Sequence, residues 1–156
     1  VIFVDLDNVI DEVAEFFLHL STHVIIPSSL DINDYSRLED DPRNNSLFKT
    51  IEDKSKIKLV IFNKLKPSKN EPDSTNGFPF TLVDSDKQIV DILMSKFNTH
   101  CSPQFTGMRL ISPGAIYDMH TECKTIPELQ SLQAFATKMS EPYRNLQAIC
   151  KNIHDM

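Results

Sequence analysis

Two aspartates one residue apart, Asp5-Leu6-Asp7, followed by Asn8, directly follow the apolar run Val1-Ile2-Phe3-Val4. A buried strand that ends abruptly in acids puts carboxylates at the carboxyl edge of a sheet, where open α/β folds assemble their sites. Paired carboxylates there suit a Mg²⁺ or Mn²⁺ ion, or a nucleophile beside an acid partner. The same residues also suit a plain strand followed by a helix, with Asn8 or Asp7 as its cap.

A second acidic group, Asp84-Ser85-Asp86, follows the apolar stretch Phe78 to Val83, and Glu71 and Asp73 precede it. Lys54, Lys56, Lys58, Lys64, Lys66 and Lys69 cluster around one strand and its following loop. Such a cluster suits a phosphate-binding patch or a solvated face beside a buried strand, and the solvated face is the commoner case. Cys101, Cys123 and Cys150 are odd in number and widely spaced, which fits reduced intracellular thiols better than a disulfide framework. His100-Cys101 and His120 with Cys123 lack the paired spacing that a structural zinc site needs.

The elements that would position these residues alternate. Val1 to Val4 reads as a first strand, and Val9 to Leu20 as a helix with Val9, Val13, Phe16, Phe17 and Leu20 on one apolar face. His23 to Ile26 predicts a short strand stopped by Pro27. Asp31 to Asn45 reads as an acidic loop with a helical turn, and Ser46 to Asp53 as a short helix. Ile57 to Phe62 is almost continuously apolar, which predicts an interior strand of a parallel sheet. Lys66 to Gly77 holds Pro67 and Pro72 and reads as a loop. Phe78 to Val83 predicts a fourth strand, then a helix capped by Asp84 or Ser85 and running to about Phe97. Met108 to Ile111 predicts a fifth, ended by Ser112-Pro113-Gly114. Thr125 with Glu128 fits a capping box, opening a helix with Leu129, Leu132, Phe135 and Met139 inward. Ser140-Glu141-Pro142 should break it and start another carrying Tyr143, Leu146, Ile149, Cys150 and Ile153. The sum is an α/β fold: a mainly parallel central sheet flanked by helices, in one domain over 1–156, with a helical extension at 112–156 packing on it.

At 156 residues the chain can bury a real core, and no apolar run approaches the ~20 residues of a membrane span. The net charge of −6 argues against a dedicated nucleic-acid surface. The chain opens inside a strand, with no Met and no signal-peptide pattern, which predicts a segment of a longer protein.

Asp5-Leu6-Asp7-Asn8-Val9 resembles the opening motif of haloacid-dehalogenase-type phosphohydrolases. That likeness implies Asp5 as nucleophile and Asp7 as general acid/base, with Mg²⁺ between them. Such an enzyme also needs a hydroxyl residue ending the next core strand, whereas Ile57 to Phe62 runs into Asn63-Lys64. Asp84 with Asp86 is the only plausible late acidic pair.

The chain more fully resembles PIN-like domains of the NYN type, including those of nuclear zinc-finger SUMO ligases. Val1 to Asn8 is similar to the family's first strand, and Gly77 to Ile89 to its fourth strand and Ser-Gly-Asp turn. The likeness covers about the first 111 residues. It implies Asp5 as first metal ligand, Asn8 as its orienting neighbour, and Asp86 as the late acid beside Asp84. An active member would hydrolyse phosphodiesters of RNA or single-stranded DNA on Mg²⁺ or Mn²⁺. It would use Asp5 and Asp86 with a further acid among Asp7, Asp84, Glu71 or Asp73.

Where such a member carries a central acid at a helix start, this chain has Lys64 to Asp73, basic and broken by proline. The glycine of the turn is replaced by Ser85. The resemblance therefore implies a degenerate, non-catalytic domain without cofactor. It would be a protein-interaction module within a larger nuclear complex, with no membrane partner. Phe135, Met139, Tyr143 and Leu146 are candidate partner-binding residues, or they simply cover one face of the sheet.

Overall fold

The computed structural model describes residues 2, 4–6, 10–39, 46–73 and 78–156, the side chain at position 34 excepted. Three parallel strands form the central sheet: β1 (Val24–Ser28), β2 (Ile57–Leu65) and, fifth along the chain, β5 (Gln104–Arg109). Their order is β1-β2-β5. Val24 pairs with Ile57 and Ser28 with Phe62 on one side of β2, and Leu59 with Gln104 and Leu65 with Arg109 on the other. Between β2 and β5 lies a small antiparallel pair, β3 (Pro67–Lys69) with β4 (Thr81–Leu82). The helices are α1 (Glu12–Leu20), α2 (Ile32–Glu39), α3 (Leu47–Thr50), α4 (Asp84–Asn98), α5 (Pro113–Glu122), α6 (Ile126–Ser131) and α7 (Ala136–His154). The expected α/β architecture holds.

β2 is central because its side chains suit burial on both faces: Ile57, Leu59, Val60, Phe62 and Leu65 are all buried. Phe62, Phe97, Phe48 and Tyr35 pack ring on ring through the main core. A second, smaller cluster joins Ala115, Leu129 and Met139 of the last three helices.

Several sequence expectations are corrected. Of the strand expected at Val1 to Val4, Val1 and Phe3 lie outside the described residues. Ile2 and Val4 belong to no strand and are 90% and 46% exposed. An apolar run becomes a strand only where an edge pairs with it. Among the described residues, the sheet order β1-β2-β5 pairs no strand from this segment with either edge. Helix α1 starts at Glu12, capped by Asp11, whose carboxylate accepts the Ala14 N–H at 2.9 Å; Asp7, Asn8 and Val9 lie outside the described residues. Pro27 continues β1 instead of stopping it, because it is exposed on an edge strand where a missing N–H breaks no ladder bond.

The stretch expected as an acidic loop holds α2, while 40–45 lie outside the described residues. The stretch expected as a loop at Lys66 to Gly77 contributes β3, with 74–77 outside the described residues. The fourth strand shrinks to Thr81–Leu82 and pairs with β3 because the main sheet offers it no free central edge. Helix α4 is preceded by Val83, with no side-chain cap. The fifth strand lies earlier than expected, at Gln104–Arg109, and α5 opens the expected helical extension in a stretch for which no individual helix was predicted. The expected long helix after Thr125 ends at Ser131, where Leu132 turns extended and the chain folds back. Pro142 sits inside α7 instead of breaking it. Burial of Met139, Asn145 and Ile149 along one face outweighs the lost helix bond.

Candidate functional site

The strands of a parallel sheet all point one way, so the residues at their carboxyl ends share an edge: Ser28, Leu65 and Arg109 with the segments that follow them. β2 is irregular just before its end, where the register to β5 shifts between Phe62 and Leu65 and Lys64 sits in the left-handed region at φ 61°. Asp86, in the first turn of α4, secures the link from β2 to β3 at Lys66. Its Oδ2 accepts the Lys66 N–H at 2.9 Å and its Oδ1 accepts the Ser85 hydroxyl at 3.3 Å. The Asp86 side chain is buried, whereas Asp84 is exposed. The acid singled out as catalytic thus joins β2 to α4.

Asp5 is exposed, while Leu6 beside it is partly buried against the main core. Asp7 and Asn8 lie outside the described residues. Glu71 is exposed, and Asp73 is buried with its N–H donated to the Phe78 carbonyl at 2.9 Å. Among the described residues no three His, Cys, Asp or Glu side chains converge as a metal site would require. Asp86 is already bonded to backbone, and Asp7 and Asn8 of the implied ligand set lie outside the described residues.

At the last residue of β5, Arg109 meets the Glu141 carboxylate of α7 and Asn70 Oδ1 at 3.3 Å, in a shallow cleft that Phe80 and Arg144 also line. Each guanidinium bond there goes to the protein's own groups, and this cleft ties α7 to the sheet.

The far side of the sheet holds a polar cluster that sequence reasoning did not assemble. Tyr35 donates its hydroxyl to Glu39 Oε1 at 3.2 Å, and His100 Nε2 lies 2.9 Å from the same oxygen. The His100 bond holds the Glu39 carboxyl below the usual carboxylate range, and the Tyr35 hydroxyl adds to it. Burial, reinforced by the Glu39 charge, pushes the Tyr35 hydroxyl above its ordinary value. The His100 ring stacks on Phe48 with centroids 4.6 Å apart. The cluster clamps α2 and α3 to the end of α4. Tyr35 and Glu39 stand four apart, a helical signal hidden inside a stretch that read as a loop.

Cys101 is buried, which raises its thiol pKa, and Cys123 and Cys150 are exposed; all three are free. Of the four candidate partner-binding residues, Met139 is fully buried, Phe135 and Tyr143 are partly buried, and Leu146 is at the surface. Met139 thus contributes to the second core and offers no surface to a partner.

A contiguous exposed apolar stripe lies on another helix. On α1, Val13, Phe16, Phe17 and Leu20 are 62%, 58%, 36% and 64% exposed, while Ala14 and Leu18 are buried. The helix therefore packs on the core through its narrower apolar side and turns its broad stripe to solvent.

No family model, curated protein or solved structure matches this chain. Among the described residues no helix is long and apolar enough to cross a membrane.

Proposed function

We propose that this chain is a degenerate PIN-like domain that works as a protein-assembly module, without catalysis. The observation that carries the reading is α1: a helix with four large apolar side chains at positions i, i+3, i+4 and i+7 turned to solvent. Exposed apolar stripes of this kind mark interaction sites, since leaving them in water forgoes the burial that would stabilise them. The bonding of Asp86 to the β2–β3 link at Lys66 supports the non-catalytic half, because a carboxylate that accepts backbone and hydroxyl protons is poorly free to hold a metal. Assignment to a nuclear protein of genome maintenance or of RNA or chromatin regulation rests on the resemblance of residues 1–8 and 77–89.

The test is incubation with single-stranded RNA and DNA in the presence of Mn²⁺ at millimolar concentration. The expected result is no cleavage above that of an Asp5→Asn control. Cleavage that disappears in Asp5→Asn would make the chain a metal-dependent nuclease and end the module reading.

A further inference from the structure

We propose that the exposed stripe of α1 pairs antiparallel with α1 of a second copy of this chain. The inference rests on the module reading and names its partner. The stripe is its own complement under a two-fold axis. In an antiparallel pair centred between Phe16 and Phe17, Val13 faces the partner's Leu20, Phe16 faces the partner's Phe17, and the reverse contacts repeat. The Phe16 and Phe17 rings already stand edge to face, with centroids 5.6 Å apart and an interplanar angle of 75°. Two such pairs at the axis place four aromatic rings in the middle of the contact, where binding energy concentrates.

Charge selects the direction. The first turn of α1 is acidic through Glu12 and Glu15, whereas its last turn carries His19. Lys56 adds a cation at that end, its ammonium donating to the His19 carbonyl at 2.9 Å. At 100° per residue Glu12 and His19 fall on the same flank of the stripe. In antiparallel helices like flanks face each other, so the Glu12 of each copy meets the His19 and Lys56 end of the other. A parallel pair would set acid beside acid. The helix macrodipoles favour the same antiparallel choice. The acidic turn also disfavours an anionic membrane as occupant. Four side chains cover on the order of 400 Å² per copy, below the ~800 Å² per partner of a standard interface, so the dimer is transient.

The experiment is sedimentation equilibrium of the chain over a concentration series reaching on the order of 100 μM or above, the range for such small contacts. The expected result is a mass that rises from monomer toward dimer with concentration. Phe16→Asp should weaken association by at least about tenfold. It should leave the circular dichroism spectrum unchanged, since Phe16 is not part of the core. Glu12→Lys should weaken association several-fold, and Glu12→Lys with Lys56→Glu should recover it.

A wild-type chain that stays monomeric throughout overturns the proposal, as does a double variant no better than Glu12→Lys alone. Flotation with phosphatidylcholine–phosphatidylserine vesicles that depends on Phe16, in a chain that stays monomeric, would overturn it in favour of a membrane. A monomeric chain that does not float leaves the module reading standing with a different protein as partner, Phe16-dependent flotation removes the α1 observation that carries it, and its non-catalytic half fails on cleavage dependent on Asp5.

Discussion

The side-chain amide of Asn145 reaches from α7 to the outer edge of β5 and makes both bonds that a neighbouring strand would make. Nδ2 donates to the Gly107 carbonyl at 2.8 Å, and Oδ1 accepts the Arg109 N–H at 2.9 Å. Gly107 belongs to the same arrangement: a Cβ added there would stand 2.6 Å from Leu65 Cδ1, so any side chain at this position would force the Leu65 tip to shift. Exposed edges pair with other chains, and a satisfied edge does not. Replacing Asn145 with Leu keeps the branching of the side chain but leaves the Gly107 carbonyl and the Arg109 N–H without their protein partner. A buried group left so costs about 1–3 kcal/mol, so the variant should lose about 2–6 kcal/mol in urea unfolding. Amide exchange at Arg109 should accelerate with it. An unchanged midpoint would mean that water replaces the amide at no cost.

Between elements, the Tyr35–Glu39–His100 cluster holds α2 and α3 against the end of α4, and it does so through a charge. The Glu39 carboxyl is held below its ordinary value, so the unfolded chain binds more protons than the folded one near the acid range. Stability from this group is therefore present above the unfolded value of about 4.3 and is lost as pH falls through the folded value. The Glu39 side chain is about one-third exposed (35%), which limits the gain to about 0.5 kcal/mol. Glu39→Gln should reduce stability by that amount at pH 7, and the difference should shrink as pH falls through the acid range, giving a shallower dependence in urea midpoints for the variant. A constant difference between the two proteins at every pH would show that the charge plays no part.

This cluster also shows where the sequence was legible. Continuous apolar strands such as β2 announce themselves, because burial on both faces leaves no polar alternation. The start at Thr125 was equally legible: the Glu128 carboxylate accepts the Thr125 N–H at 2.8 Å and its hydroxyl at 2.7 Å, a bond pattern local in sequence. The contact of Glu39 with His100 spans 61 positions, and no periodicity reports it. The roles of Asp86 and Asn145 were hidden for the same reason. An acid near a helix start looks the same whether it awaits a metal or holds a strand link 20 positions away. Apolar periodicity in α1 was visible, but its exposure was not, since a stripe states only what burial would stabilise.

Two apolar clusters of unequal size divide the molecule: the large one around β2 and the small one of Ala115, Leu129 and Met139. Asn145 and the Arg109–Glu141 pair tie α7 to the sheet. A small cluster linked to a larger one mainly by polar bonds should open before it, because stability within one fold need not be uniform. Met139 is fully buried, and Met139→Ala should cost about 2–5 kcal/mol of side-chain packing. That cost falls on the small cluster, which has few other apolar contacts to retain its shape. Hydrogen exchange should therefore lose protection across α5, α6 and α7 first, while the amides of β2 between Ile57 and Phe62 keep most of theirs. Equal loss of protection in β2 and α7 would mean that the chain unfolds as one unit and that the polar ties transmit the whole perturbation. Selective loss would instead make the last three helices a separately opening unit, able to leave the β5 edge bare. In that case Asn145 is the bond to measure, because its release exposes the Gly107 carbonyl and the Arg109 N–H to any strand that reaches them.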